Sequence, residues 1–178
     1  MRTTMLLVGL AFLLCFQSFS QLKLEGVINS KLKIIQLEDG EIKYYNFDSK
    51  TSEIKIYNLD NTLWKSINIS LESNHFFEEI LMNSQNTINP DKGIEIVYTC
   101  LKYNYNPIVE DPESEANAVQ FTLNIIDESG EKLLSVRNSH QLKLATTNGK
   151  SKLLIFKNEG KSFRDESEIL VYAFPNKK

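Results

Sequence analysis

Few residues of this chain have the type and spacing that catalysis or metal binding requires. The two histidines, His75 and His140, have no second metal ligand at a spacing typical of metal sites. The sequence also lacks a G-x-S-x-G nucleophile elbow, a phosphate-binding loop and a dinucleotide-binding fingerprint. We therefore predict no catalytic residue, no metal site and no cofactor, and we expect the protein not to be an enzyme.

Carboxylates are abundant enough to keep one catalytic alternative open. A pair of them at the right separation hydrolyses glycosides, and the sequence does not say whether the fold forms such a pair. The densest group is Glu110 to Glu115, with four carboxylates within six positions. Calcium prefers such ligands, but the spacing differs from an EF-hand loop and no glycine is present for its turn. A solvated loop is favoured there, and calcium binding stays open.

Aromatic side chains are the second group with binding potential. We name Trp64, Tyr103 and Tyr105 as candidate ligand-contacting residues, because exposed rings stack against sugars or peptides. The alternative is that these rings pack in the core or across neighbouring strands, which is the commoner role of aromatics in strands.

Cys100 is expected to be buried and unreactive. It lies in phase with Ile94, Ile96 and Tyr98 in an alternating pattern, so it shares their apolar face. No neighbour in the sequence supplies an activating base or a lowered pKa. Cys15 lies in the apolar N-terminal segment, which leaves Cys100 alone in the mature chain and excludes an intramolecular disulfide.

The elements that would position these residues are β-strands. Alternation with a period of two dominates the chain, and over 63–71 it places Leu63, Ile67 and Ile69 on the face opposite Trp64. Shorter runs of this kind are Leu32–Leu37, Ile42–Phe47, Glu53–Leu59, Gln141–Thr146, Lys152–Lys157 and Glu168–Phe174. Asp39-Gly40 and Asn148-Gly149 suit tight hairpin turns. His75–Asn83 stays open between a helix and a strand, and we predict an all-β fold with about ten strands.

Three pairs of these runs are predicted to form antiparallel hairpins. They are Lys43–Phe47 with Lys55–Asp60, Glu95–Thr99 with Leu123–Asp127, and Lys152–Phe156 with Ile169–Phe174. Their spacing of about 50 residues is that of a long propeller repeat. Three blades are fewer than the four to eight that usually close a propeller. We therefore expect an incomplete propeller-like array, covered by Leu22–Leu37, a partner or a second copy; the alternative is a β-sandwich.

The N-terminus predicts export. Arg2, the apolar run Met5–Phe16 and the small residues Ser18 and Ser20 are typical of a secretory signal peptide. We predict cleavage before Gln21, so that 1–20 is a signal peptide and 21–178 a single all-β domain. The alternative is a lipoprotein acylated at Cys15, which the preceding Leu14 disfavours.

Composition narrows the class of partners. The chain has 20 basic and 23 acidic residues, a net charge of -3. Nothing in this balance attracts nucleic acid or anionic lipid. The apolar N-terminal run is shorter than the roughly 20 residues that a membrane helix needs, so we predict no membrane span in the mature chain.

Two segments resemble a known family. Ile54–Ile69 and Ile125–Val136 are similar to the strand-repeat regions of secreted bacterial proteins handled by the type IX secretion system. The likeness extends over roughly Lys43 to Asn176, and it implies a propeller-like array without catalytic residues to carry over. Members usually have a C-terminal sorting domain after a last strand like Leu170–Phe174, whereas this chain ends at Lys178, so we expect no such domain.

Export, β-structure and the lack of a catalytic motif together favour a noncatalytic binding or adhesion module at or outside the cell envelope, secreted, periplasmic or at the cell surface. Its partner would be a protein or a glycan. One alternative is a glycan-active enzyme with paired carboxylates about 5 to 10 Å apart in a cleft. Another is a structural component of an envelope assembly, which would expose apolar sheet edges.

Overall fold

The computed structural model describes residues 32–89, 93–103, 119–148, 150–158 and 166–175, together with Leu24 and Val27. Over these residues the chain forms eleven strands and no helix. The strands are β1 (Lys33–Gln36), β2 (Ile42–Asp48), β3 (Glu53–Tyr57), β4 (Leu63–Asn68), β5 (Phe76–Ser84), β6 (Glu95–Tyr103), β7 (Val119–Ile126), β8 (Lys132–Arg137), β9 (Ser139–Thr147), β10 (Lys150–Asn158) and β11 (Glu166–Ala173). The all-β prediction is confirmed, and the ambiguous segment His75–Asn83 is almost entirely strand.

The strands form three antiparallel sheets in which each strand pairs with its neighbours in the chain: an N-terminal sheet (β1–β4), a central sheet (β5–β8) and a C-terminal sheet (β9–β11). All three predicted hairpins are present, with Tyr45 opposite Ile56, Tyr98 opposite Asn124, and Ile155 opposite Leu170. The described strands leave this array open, without a closed barrel. Tyr44–Phe47 pairs with β3 and not with Ile96–Thr99, so these two segments do not form one continuous sheet.

The central sheet lies between the other two. On one face of β6, Tyr98 and Cys100 belong to the same buried cluster as Ile54 of the N-terminal sheet. On the other face, Val97 shares a cluster with Leu153 of the C-terminal sheet. Successive residues of a strand point to opposite faces, so both faces of β6 are covered. This explains why the first seven residues of β6 are all buried, without the usual alternation.

Three hairpin turns with one hydrogen-bonding pattern connect β1 to β2, β3 to β4 and β7 to β8. In residues 37–41, 58–62 and 127–131, the first N–H donates to the fifth carbonyl, at 2.8, 2.9 and 3.0 Å. The fourth N–H donates to the first carbonyl at 3.0 Å in each turn. The fourth residue has a positive φ, which Gly and Asn tolerate best: Gly40 at 89°, Asn61 at 66° and Gly130 at 87°. The predicted turn at Asp39-Gly40 is confirmed, whereas Gly149 lies outside the described residues.

One face assignment of the sequence prediction is wrong. Leu63 is 55% exposed, while Ile67 and Ile69 are buried in the core and Trp64 packs against it. The register between β3 and β4 shifts at Tyr57, where a β-bulge adds a residue to β4. A bulge reverses the alternation beyond it, so Trp64 and not Leu63 turns inward.

The predicted signal peptide lies outside the described residues, and both its cleavage and the single domain 21–178 stay predictions. Within the ranges that the structure describes, no helix has the length and apolar character to cross a bilayer.

Candidate functional site: a groove between two edge strands

An open groove of about 330 Å³ lies between β1 and β5, which are edge strands of the N-terminal and central sheets. Its exposed lining is polar and apolar in about equal parts, and the lining residues are Ile34, Ile35, Gln36, Tyr45, Ile80, Leu81, Met82 and Asn83. In the described part of the chain, each edge strand has a strand partner on one side only. A strand with an unpaired edge offers backbone donors and acceptors to another chain. The groove therefore combines apolar side chains with the edges of two strands.

Three hydrogen bonds hold the two edges at this separation. The N–H of Ile80 donates to Tyr45 Oη at 3.3 Å. Asn83 Nδ2 donates to the carbonyl of Gln36 at 2.7 Å, and Lys33 Nζ donates to the carbonyl of Glu78 at 3.3 Å. Two register shifts in β5, at 77–79 and 80–82, interrupt its pairing with β6. Such bulges re-aim backbone and side chains, and here they accompany backbone contacts toward the N-terminal sheet.

The polar groups of the groove are neutral. Burial raises the pKa of the Tyr45 hydroxyl, so it stays protonated at neutral pH. None of the described residues that line the groove is charged. Asn83 Oδ1 is buried without a hydrogen-bond partner among the described residues. An unpaired buried acceptor costs about 1 to 3 kcal/mol, so a donor from a water or a ligand would be stabilising there.

Trp64, the first predicted ligand-contacting residue, is half-buried between two cations. Lys43 Nζ lies 4.9 Å and Lys65 Nζ 5.4 Å from its ring centroid. Lys43 is buried and donates to Glu41 Oε1 at 2.5 Å and to Asn58 Oδ1 at 2.8 Å. Trp64 also packs against the buried core between the N-terminal and central sheets, and ligand contact by its ring stays a prediction.

Tyr103, the second candidate, is exposed at the end of β6. Its ring is 61% exposed and lies 6.1 Å from the ring of Phe76, which is 56% exposed. The pair forms a small aromatic surface, and sequence analysis did not select Phe76 because its segment was ambiguous. Lys65 binds Glu128 at 2.6 Å, beside the start of β6, so Trp64 and Tyr103 lie toward opposite ends of that strand. The third candidate, Tyr105, and the acidic segment Glu110–Glu115 lie outside the described residues.

Cys100 lines a small cavity beside the N-terminal sheet. The lining residues are Ser70, Leu71, Glu72, His75, Cys100, Thr122, Asn124 and Lys132, and the cavity volume is about 10 Å³. Such a volume holds about one water molecule. Burial raises the pKa of the Cys100 thiol to about 12, with Asn124 Nδ2 at 3.8 Å from Sγ. At neutral pH the side chain is therefore a thiol, which is a poor nucleophile.

Glycoside hydrolysis finds no support in either opening. The groove has no carboxylate among its described lining residues, and the Cys100 cavity has Glu72 alone. Among the described residues, no three His, Cys, Asp or Glu side chains come together where they could hold a metal ion. Neither opening thus brings together the two carboxylates that this chemistry needs.

Comparisons with protein-family models, curated proteins and solved structures found no match for this chain. The similarity to strand-repeat regions of type IX cargo stays a prediction from sequence.

Proposed function

We propose that the protein is an exported, noncatalytic binding module that holds an extended peptide segment in the groove between β1 and β5. The observation that carries the proposal is a groove with several aliphatic side chains in its lining that lies between two strand edges. Extended peptides bind such edges through main-chain hydrogen bonds, while pockets for alternate side chains give specificity. A volume of about 330 Å³ suits a few side chains of such a segment.

A protein partner is favoured over a glycan by the lining of the groove. Sugar recognition relies on rings for stacking and on many polar groups, whereas this groove is bordered by Ile34, Ile80, Leu81 and Met82. Its single aromatic side chain, Tyr45, is buried and already accepts a hydrogen bond from Ile80. Apolar side chains of a peptide therefore complement the groove better than a sugar does.

The compartment is part of the proposal and rests on the N-terminal sequence. Arg2, the apolar run Met5–Phe16 and the small residues before Gln21 support export. The similarity to type IX cargo is consistent with export, whereas the expected lack of a C-terminal sorting domain leaves passage across the outer membrane open.

A random heptapeptide library displayed on phage, panned against the purified protein, tests the groove. We expect enriched peptides with apolar residues at alternate positions, because an added strand points every second side chain the same way. Leu81→Glu places a charge in the groove and should weaken binding of those peptides at least about tenfold. Leu133→Glu is the matched control, since Leu133 lies on β8 and is 43% exposed.

Circular dichroism and a thermal melt establish that both variants fold before binding is compared. If the peptides bind the Leu81→Glu variant and the original protein with equal affinity, the binding site lies outside the groove. A library that yields no enrichment would contradict peptide binding altogether.

A further inference from the structure

The outer face of the N-terminal sheet carries a row of apolar side chains across all four strands. Ile34 is opposite Tyr44, Tyr44 is opposite Tyr57, and Tyr57 is opposite Leu63. Residues opposite one another in an antiparallel pair project from the same face. Ile34 is 69% and Leu63 55% exposed, so this row points away from the core between the sheets.

The outer face of the C-terminal sheet is also apolar. Leu153 and Ile155 point inward, so Leu154 and Phe156 of β10 point outward. Leu154 is opposite Val171 and Phe156 is opposite Ile169. Val171 is 62% and Ile169 54% exposed. The stack of three sheets therefore ends in an apolar face on both sides, among the residues that the structure describes.

The two outer faces carry opposite charge. On the N-terminal sheet, Asp48 and Glu53 face outward opposite each other, and Lys55 binds them at 2.7 and 3.5 Å. Two carboxylates against one ammonium leave that face with a net charge of −1.

On the C-terminal sheet, three lysines take outward positions of the described strands. Lys143 of β9 is opposite Leu154 of β10. On β10, Lys150 and Lys152 lie four and two residues before Leu154, so they project from the same outer face. Complementary charge around apolar patches favours one face against the other and disfavours each face against itself.

We infer that two copies of the chain form a dimer with two equivalent contacts. In each contact, the outer N-terminal face of one copy covers the outer C-terminal face of the other. Inside the chain, neighbouring sheets already stack through their apolar faces in this order. Two copies give six sheets, within the four to eight blades that close a propeller. Each contact joins two different faces. Because the second contact uses the two faces that the first leaves free, the assembly closes as a dimer and does not extend into a filament. This surface is distinct from peptide binding in the groove, apart from Ile34, which borders both.

Light scattering after size exclusion tests the dimer in the purified protein. We expect twice the mass of one chain for the original protein. We expect a monomer for Tyr57→Lys and for Val171→Asp, because each places a charge against a face of the same sign. Each substitution should raise the Kd at least about tenfold, because it buries an unpaired charge. Leu133→Asp, on the central sheet, should leave the dimer unchanged.

Mixing the two variants separates this arrangement from a like-with-like dimer. Tyr57→Lys keeps an intact C-terminal face and Val171→Asp keeps an intact N-terminal face, so their mixture should recover dimers with one intact contact. A dimer that survives one of the two substitutions would show that a face pairs with its own kind and would overturn the inference. A monomeric wild-type protein at high concentration would overturn it as well.

A charge exchange provides a second test that does not depend on the apolar faces. Lys143→Glu should weaken the dimer, and adding Glu53→Lys in the same chain should restore it. If the second substitution weakens the dimer further, the opposite charges of the two faces do not meet across the contact, and the inference is overturned.

Discussion

Cys100 shows how a single side chain is made inert by its surroundings. It is 3% exposed and its pKa is raised to about 12, chiefly by burial. The alternation of Ile94, Ile96, Tyr98 and Cys100 predicted the buried face from sequence alone. The cavity beside Cys100 was not predictable, because Ser70 and Thr122 reach it from distant parts of the chain.

We predict that Cys100 reacts slowly with iodoacetamide in a chain that starts at Gln21, where it is the only cysteine. The reaction needs a thiolate, so a raised pKa and burial should slow it at least about a hundredfold relative to the chain in denaturant. The rate of labelling, followed by mass spectrometry at pH 8, checks this. A native rate within about tenfold of the denatured rate would mean that the thiol is accessible or ionised.

Among the hairpin turns, the one that contains Gly130 lies in close contact with a neighbouring sheet. A Cβ added to Gly130 would lie 2.3 Å from the backbone oxygen of Asn68, whereas one added to Gly40 meets nothing within 4 Å. Both glycines have nearly the same φ, 87° and 89°. The pair thus separates the cost of backbone conformation from the cost of a close contact between sheets.

We predict that Gly40→Ala lowers the free energy of unfolding by about 1 to 2 kcal/mol, the usual cost of a left-handed alanine. Gly130→Ala should cost clearly more, because the backbone of Asn68 must also move. Urea denaturation of both variants measures the difference. Equal losses would show that the turn yields without disturbing β4.

Strand pairing was predictable from sequence, but bulges were not. The three hairpins followed from alternation, and the turn between β1 and β2 followed from Asp39-Gly40, because both signals act locally. The bulge opposite Tyr57 reversed the faces from which Leu63 and Trp64 project. The two bulges in β5 obscured the strand pattern of that segment. The groove residues Ile80 and Met82 lie in that irregular stretch, so no periodic signal marked them as a site.

At the scale of the whole molecule, the stacking order of the sheets could not be predicted. Alternation states which residues share a face, but not which other sheet covers that face. The alternation over Ile94–Cys100 predicted one buried face, whereas the first seven residues of β6 are all buried, as is typical of a strand covered on both sides.

The first residue of the exported chain is a further prediction at this scale. We expect N-terminal sequencing of exported protein to begin at Gln21 or its cyclised form, because Ser18 and Ser20 suit cleavage at that point. Replacing Ser20 with a bulky residue, as in Ser20→Leu, should block processing, whereas Ser20→Ala should preserve it. A mature chain that begins at an acylated Cys15 would contradict the prediction.

The position of the central sheet also sets the order in which the molecule can be completed. During synthesis the N-terminal part of the chain emerges first, so Ile54, Ile56 and Ile67 appear before Ile96 and Tyr98. These later residues are the ones that pack against them in the folded protein. At about 5 to 20 residues per second, synthesis leaves that apolar face open for seconds. During this interval the N-terminal sheet is a surface for chaperones or for wrong partners, until β6 arrives.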